Sequence, residues 1–275
     1  MRLINLKDPE VRARKVARAL KSLRALYTRT KGAMPFFVAG YQRSGTTMLM
    51  DIFHLHPDVK VFDESFATEI YVNYRVRNLE TVSKTLVRSR FRFACYDVIS
   101  DSHIIKAFID CFPEARIIWM YRTAADNAAS HLQQFPHATR AVRLVSQGKT
   151  GGGWFAEGVS PAVAMKLREL ASSADLTEFD FACLAWWARN SLYFELGLEH
   201  IPNVRLLQYE KMVQEPTGES HKLFNWLGLS WHKRACRFVH ARSVGKNLTA
   251  CNPAVKMLCS DLEEKLLQAG KIYDM

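Results

Sequence analysis

Gly40-Tyr41-Gln42-Arg43-Ser44-Gly45-Thr46-Thr47 sets two glycines five positions apart with a cation between them. The loop falls between a short apolar run, Phe36-Phe37-Val38-Ala39, and an apolar helical pattern carried by Met48, Leu49, Ile52 and Phe53. Strand, glycine loop and helix start together cradle phosphate, because loop N–H groups and the helix N-terminus converge on the anion. The phosphate loop of nucleoside triphosphatases reads G-x-x-x-x-G-K-[ST], and its Lys serves the β- and γ-phosphates. Thr46 occupies that Lys position here. The loop therefore suits a nucleotide without a triphosphate tail, and Arg43 supplies a cation from within it.

Further charged residues fall where strands are expected to end. Glu64 comes two residues after a predicted second strand, Lys106 closes a third, and Arg122 closes a fourth, with Ser130 two helical turns beyond. In an open parallel sheet, ligands bind outside the carboxyl ends of the strands. Arg43, Lys106 and Arg122 would make an anion pocket there, containing one carboxylate. A carboxylate beside bound phosphate stays ionised only with cations near it. Taking the proton of an acceptor hydroxyl would give Glu64 a reason to be there; a salt bridge to Arg43 or Lys106 is the plain alternative.

The elements that must position these groups alternate. Strands are predicted at 35–40, Val59–Phe62, around Ile104-Ile105, at Arg116–Tyr121 and at Val204–Tyr209. A helix runs from the glycine loop to His56, where Pro57 stops it, and residues 66–95 read as helices. Thr123-x-x-Asp126 resembles a capping box that opens another helix. Strands alternating with helices point to an α/β fold: a P-loop-type parallel sheet of about five strands flanked by helices, forming a single domain. Trp186 and Trp187 sit on a predicted helix and read as core. Residues 146–158 hold five glycines in thirteen positions and read as a mobile loop, either inert or a lid over an acceptor.

At 275 residues, 48% hydrophobic and 24% charged, the chain can bury one large core. The formal net charge of +11 suits an anionic ligand, a nucleic acid or an anionic membrane surface. Ten Lys or Arg lie between Arg2 and Lys31 against Asp8 and Glu10, with Val16, Leu20, Leu23 and Tyr27 at helical spacing. Residues 1–32 thus read as a basic amphipathic helix that either packs on residues 33–275 or makes peripheral contact with a membrane or acidic partner. No apolar run is long enough to span a membrane. The six cysteines show no metal-ligand spacing, and no metal site is expected. Without a secretory signal pattern, a reduced cytoplasmic setting is expected, and the Asn247-Leu-Thr sequon carries little weight.

These residues resemble the sulfotransferase family that uses 3′-phosphoadenosine 5′-phosphosulfate (PAPS), over about residues 35–230. Gln42-Arg43-Ser44-Gly45-Thr46-Thr47-Met48-Leu49 resembles the family's 5′-phosphosulfate loop. Arg116-Ile-Ile-Trp-Met-Tyr-Arg122 with Ser130 resembles its 3′-phosphate motif. Trp186, Tyr209-Glu210 and Phe224-Asn-Trp-Leu-Gly228-Leu229 resemble later landmarks. The resemblance implies that Arg43, Ser44, Gly45, Thr46 and Thr47 bind the 5′-phosphosulfate and that Arg122 and Ser130 clamp the 3′-phosphate. It implies that Arg43 and Lys106 stabilise the in-line transition state, without metal. Ser243 and Lys246, in Arg242-Ser243-Val-Gly245-Lys246, would complete the nucleotide pocket.

Two departures bear on mechanism. The cytosolic small-molecule branch has Lys at the position of Arg43, and a catalytic His where Phe108 stands. The spacing from Arg43 to Glu64, with His56-Pro57-Asp58 between, resembles tyrosylprotein sulfotransferases and related bacterial members, in which a Glu is the base; the resemblance implies that role for Glu64. The resemblance implies a hydroxyl acceptor, on a small molecule, carbohydrate, lipid or phenol, with peptide tyrosine also open. The competing readings are a P-loop small-molecule kinase, a basic nucleic-acid-binding protein, and a catalytically dead binding module of the same fold. Thr46 argues against the first. The absence of an RNA-binding aromatic signature argues against the second. The joint presence of Arg43, Glu64 and Lys106 argues against the third.

Overall fold

The computed structural model describes residues 21, 32–64, 67–135, 137, 139–173, 175–232, 235–241, 244–245 and 249–271. Nearly all of the basic 1–32 segment, together with Ser243 and Lys246, lies outside the described residues.

Five parallel strands form the sheet: β1 (Met34–Gly40), β2 (Val59–Phe62), β5 (Phe93–Asp97), β6 (Arg116–Tyr121) and β7 (Val204–Gln208). Their spatial order is β2-β5-β1-β6-β7. The chain leaves β1 to one side and later crosses to the other, so β1 marks the switch point beside which ligands bind in such sheets. A small antiparallel hairpin, β3 (Tyr71–Val72) and β4 (Arg75–Val76), stands apart from the sheet.

Side-chain alternation divides two cores. Phe37 and Ala39 of β1, Tyr96 of β5 and Trp119 of β6 face one cluster, whereas Phe36, Val38, Cys95 and Ile118 face the other. Both faces of every central strand are therefore apolar, as a parallel sheet covered on both sides requires. Helix α1 (Thr46–Leu55) fills the second face with Leu49, Met50, Ile52 and Phe53. Its last carbonyls, on Phe53 and His54, accept from the Lys21 ammonium at 3.2 and 3.1 Å, a favourable place for a cation.

The other helices are α2 (Leu79–Arg88), α3 (Ile105–Cys111), α4 (Ala124–Gln134), α5 (Arg140–Ser146), α6 (Gly153–Ala156), α7 (Pro161–Ser173), α8 (Glu178–Glu195), α9 (Tyr209–Gln214), α10 (Pro216–Leu227) and α11 (Pro253–Lys271). Helix α8 opens with a reciprocal capping box between Thr177 and Asp180 and sends Trp186 into the core, fully buried. Among the described residues no helix is long and apolar enough to cross a membrane.

Three local expectations are corrected. In place of the helices expected over 66–95, the described residues 67–95 form the hairpin, one helix and the start of β5. The third strand is Phe93–Asp97, not the Ile104-Ile105 pair, which joins a 3-10 turn (Ile99–Ile104) to α3. Its residues Phe93, Ala94, Cys95, Tyr96 and Asp97 are all buried, and the mixture of aromatic, Cys and Asp hid a strand that alternation would have marked. The capping box at Thr123 is absent: the Thr123 side chain makes no cap bond. Glu210 accepts from the Thr123 N–H at 3.1 Å and Glu263 accepts from the Ala124 N–H, so carboxylates from α9 and α11 cap α4 instead.

Candidate active site

The glycine loop is fixed by close approach. A Cβ on Gly40 would lie 2.2 Å from the Met120 carbonyl oxygen, and one on Gly45 would lie 2.2 Å from Cδ2 of Tyr209. Both glycines hold positive φ, 127° and 92°, a region L-residues rarely enter. Ser102 donates to the Gly40 carbonyl and accepts from its N–H, both at 3.0 Å, which ties the 3-10 turn after β5 to the end of β1. Helix α1 begins immediately after Gly45 with no side-chain cap. Its first-turn N–H groups are thus oriented for an anion. Ser44 and Thr46 are buried and Thr47 is exposed.

Arg43 adopts φ +64°, a sparsely populated region for a side chain of its size. Its Nε donates to Ser130 Oγ at 3.1 Å. The two residues are 87 positions apart in the chain, and the contact joins the loop after β1 to helix α4. Asn127 reinforces it by donating to the Gln42 carbonyl at 2.9 Å and to Ser44 Oγ at 3.1 Å. His131, on the same helix, meets the Tyr41 hydroxyl at 3.0 Å. Burial first, and Arg43 second, lower its pKa to about 4, so the ring is neutral. Asn127 and His131 were not anticipated; their signal was helical spacing, since Thr123, Asn127, Ser130 and His131 share one face.

Arg122 lies buried at the end of β6. Its guanidinium is 3.4 Å from Asp126 and 3.9 Å from Glu210, and stacks 4.7 Å from the Tyr209 ring centroid. The Trp186 indole donates to the Arg122 carbonyl at 2.9 Å, so the core Trp holds this backbone in place. Tyr209 thus packs between Gly45 and Arg122, and Glu210 caps α4. The Gly245 N–H donates to Asp126 at 2.8 Å, which brings the segment between Ser243 and Lys246 to the Arg122 end of the site.

The other half of the strand edge is acidic. Glu64 follows β2, and Asp97 ends β5. Desolvation first, then Asp97, Asp63 and Asp101, push the Glu64 carboxyl up to about 9. Burial likewise pushes Asp97 up to about 7 against the pull of the Ile99 N–H, which donates to it at 3.2 Å. Glu64 makes no ion pair among the described residues, and its Oε2 is buried without a hydrogen-bond partner. Lys106 is not at a strand end: it lies exposed on α3. The strand-end position where a Lys was expected holds Asp97. The edge therefore carries Arg43 and Arg122 on the β1–β6 side and Glu64 and Asp97 on the β2–β5 side, instead of three cations around one carboxylate. Phe108 is core, packed 5.0 Å from the Phe37 ring.

Part of the 146–158 segment is docked on the fold. The Arg189 guanidinium lies 4.9 Å from the Trp154 ring and donates to the Glu157 carbonyl at 3.2 Å. A Cβ on Gly158 would lie 2.3 Å from the His103 side chain.

The sulfotransferase domain model matches residues 34–252, a span that contains every described residue of this site. The chain belongs to the sulfotransferase family. Comparison with curated proteins gave no match. Among solved structures, the sulfotransferase domain from the curacin biosynthetic pathway is similar at 13% identity and TM-score 0.51, covering 85% of this chain and 99% of that one. A sulfotransferase from Alicyclobacillus acidocaldarius aligns at 16% identity and TM-score 0.46, over 87% of this chain and 95% of its own. A mouse sulfotransferase complexed with PAP aligns at 16% identity and TM-score 0.39, over 84% and 72%. The α/β fold and the family make this sulfotransferase an enzyme of sulfuryl transfer, a family that depends on PAPS. Among the described residues no group of ligands could hold a metal ion.

Proposed function

We propose that this sulfotransferase moves a sulfuryl group from PAPS to a hydroxyl acceptor across the divided strand edge. The observation that carries the reading is the Arg43–Ser130 hydrogen bond at 3.1 Å. It makes one continuous surface of the 40–47 loop and the helix that follows Arg122. Ser44, Thr46, Thr47 and the first N–H groups of α1 would hold the 5′-phosphosulfate. Arg122 and Ser130 would hold the 3′-phosphate, with the Gly245 backbone beside it at Asp126. The basic half fits a ligand bearing two anionic groups: it has a helix N-terminus without a cap, glycines that leave no room for a side chain, and a buried guanidinium.

Arg43 meets the charge that grows on the bridging oxygen as the sulfur–oxygen bond to the donor phosphate breaks. Electrostatic stabilisation of this kind is usually the largest catalytic contribution. Glu64, in its ionised form, takes the acceptor hydroxyl proton as the new sulfur–oxygen bond forms. Its apolar and acidic surroundings make it a strong base that is mostly protonated at neutral pH. Lys106, exposed on α3, has no part in this scheme.

The test is a titration of purified protein with PAP, the desulfated product, with ATP and AMP as controls and with or without magnesium. Tight magnesium-independent PAP binding and weak ATP binding are expected. Magnesium-dependent ATP binding with no preference for PAP would overturn the reading.

A further inference from the structure

We propose that Arg189 receives an oxyanion (a carboxylate, or a phosphate or sulfate ester) carried by the acceptor, making the acceptor a hydroxyl compound with an anionic group. This rests on the sulfuryl-transfer reading for the word acceptor, but not for the binding site.

Arg189 is fully buried on α8. Among the described residues only Nη1 has a hydrogen-bond partner, the Glu157 carbonyl at 3.2 Å; Nε and Nη2 have none. Nε–H and one Nη2–H lie along the same edge of the guanidinium, the edge that matches two oxygens of a carboxylate or phosphate. A buried charged donor without an acceptor is costly, and here two such donors point along one edge.

The neighbouring carboxylates are already committed. Arg75 takes Asp101 at 2.8 Å and Glu157 at 2.7 Å, and Asp101 also accepts from the Val76 N–H at 2.8 Å. His103 lies 3.4 Å from Glu157, and its Nδ1 is, like Nε and Nη2 of Arg189, buried without a hydrogen-bond partner among the described residues. Burial and the cations Arg189 and Arg75 lower the His103 pKa. The Trp154 ring covers the guanidinium at 4.9 Å.

The location fits an acceptor. Arg189 and the Tyr41 phenol are close enough to influence each other's ionisation, and Tyr41 belongs to the glycine loop itself. Arg189 also lies near Asp101, which acts on Glu64. Segment 153–158 packs on the guanidinium through the Trp154 ring and the Glu157 carbonyl. That segment is reached through glycines 148, 151 and 153, all at positive φ, where the backbone can turn freely. An oxyanion enters under it and replaces no existing side-chain bond of Arg189.

The test uses full-length protein saturated with PAP, so that the 40–47 loop and the Arg122 end are filled. Inorganic phosphate is titrated at constant ionic strength, with chloride as the blank, and Trp154 fluorescence is followed, with Trp154→Phe identifying its signal. A saturable change is expected in the wild type, absent in Arg189→Met and weakened at least about tenfold in Arg189→Lys, which keeps the charge but not the fork. Silence in the wild type, or an unchanged response in both variants, overturns the proposal. Turnover with PAPS then compares 4-hydroxybenzoate with 4-hydroxybenzamide. Where either is sulfated, the anionic member should have the lower KM, and Arg189→Met should erase that difference while kcat for the neutral member persists. Equal KM values for the two in the wild type also overturn it. Failure of PAP to bind sinks the sulfuryl-transfer reading; PAP binding with no phosphate response sinks only the role of Arg189.

Discussion

Replacing Glu64 with Gln should stabilise the fold and abolish turnover together. An ordinary Glu carboxyl titrates near 4.5, and this one is pushed up to about 9. The unfolded chain is ionised at pH 7 while the folded site holds a proton, so stability falls as pH rises from 4.5 towards 9. At pH 7 the cost is on the order of 3 kcal/mol, shared with the neighbouring Asp97. At pH 5 it falls to about 1 kcal/mol or less. Gln keeps the shape and removes the cost, so urea denaturation should show Glu64→Gln more stable than wild type by about 2–3 kcal/mol at pH 7 and by little at pH 5. The rate has the opposite dependence. A base that must lose its proton near pH 9 is about 1% active at pH 7 and about half active at pH 9, so kcat/KM should rise about fiftyfold between pH 7 and 9. PAP affinity should be unchanged in the variant. Equal stability of the two proteins at both pH values, or a wild-type rate flat across that interval, would refute the reasoning from burial to base strength.

Other consequences concern the basic half and the misplaced lysine. Arg122→Ala should weaken PAP by about 2–3 kcal/mol, because a charge-assisted bond is lost and Asp126 and Glu210 remain to repel the phosphate. Calorimetry with adenosine 5′-phosphosulfate, which lacks the 3′-phosphate, should show almost no change; an equal loss for both ligands would count against the assignment. Lys106→Ala should leave kcat/KM within about twofold, as exposed substitutions usually do, and a drop of tenfold or more would return Lys106 to the mechanism. Gly45→Ala should lower stability by about 1–3 kcal/mol, since the added Cβ would fall 2.2 Å from Tyr209 at φ +92°; an unchanged melting temperature would contradict the packing described.

The local parts of this site were legible because they depend on residues close in sequence. Gly40 and Gly45, the apolar run before them and the helix pattern after them announce a strand, a tight glycine loop and a helix, and Arg116–Arg122 announces a buried strand with a cation at its end. Periodicity marked four of the five strands. It missed β5, because Phe93–Asp97 is buried on both faces and ends in an acid, whereas Ile104-Ile105 offered an apolar pair nearby. That slip carried Lys106 into a strand end it does not occupy.

Sequence by itself determined the loop, the fold class and the family, since these follow from spacing, strand–helix alternation and residue type. Tertiary structure decided the electrostatics. Only the strand order β2-β5-β1-β6-β7 sets Asp97 beside Glu64 and divides the edge into acidic and basic halves. Only folding brings Ser130 to Arg43, Tyr209 between Gly45 and Arg122, and Arg189 under Trp154. A pKa or an open hydrogen-bond edge belongs to a group's surroundings in space, and those surroundings come from segments up to a hundred or more residues away.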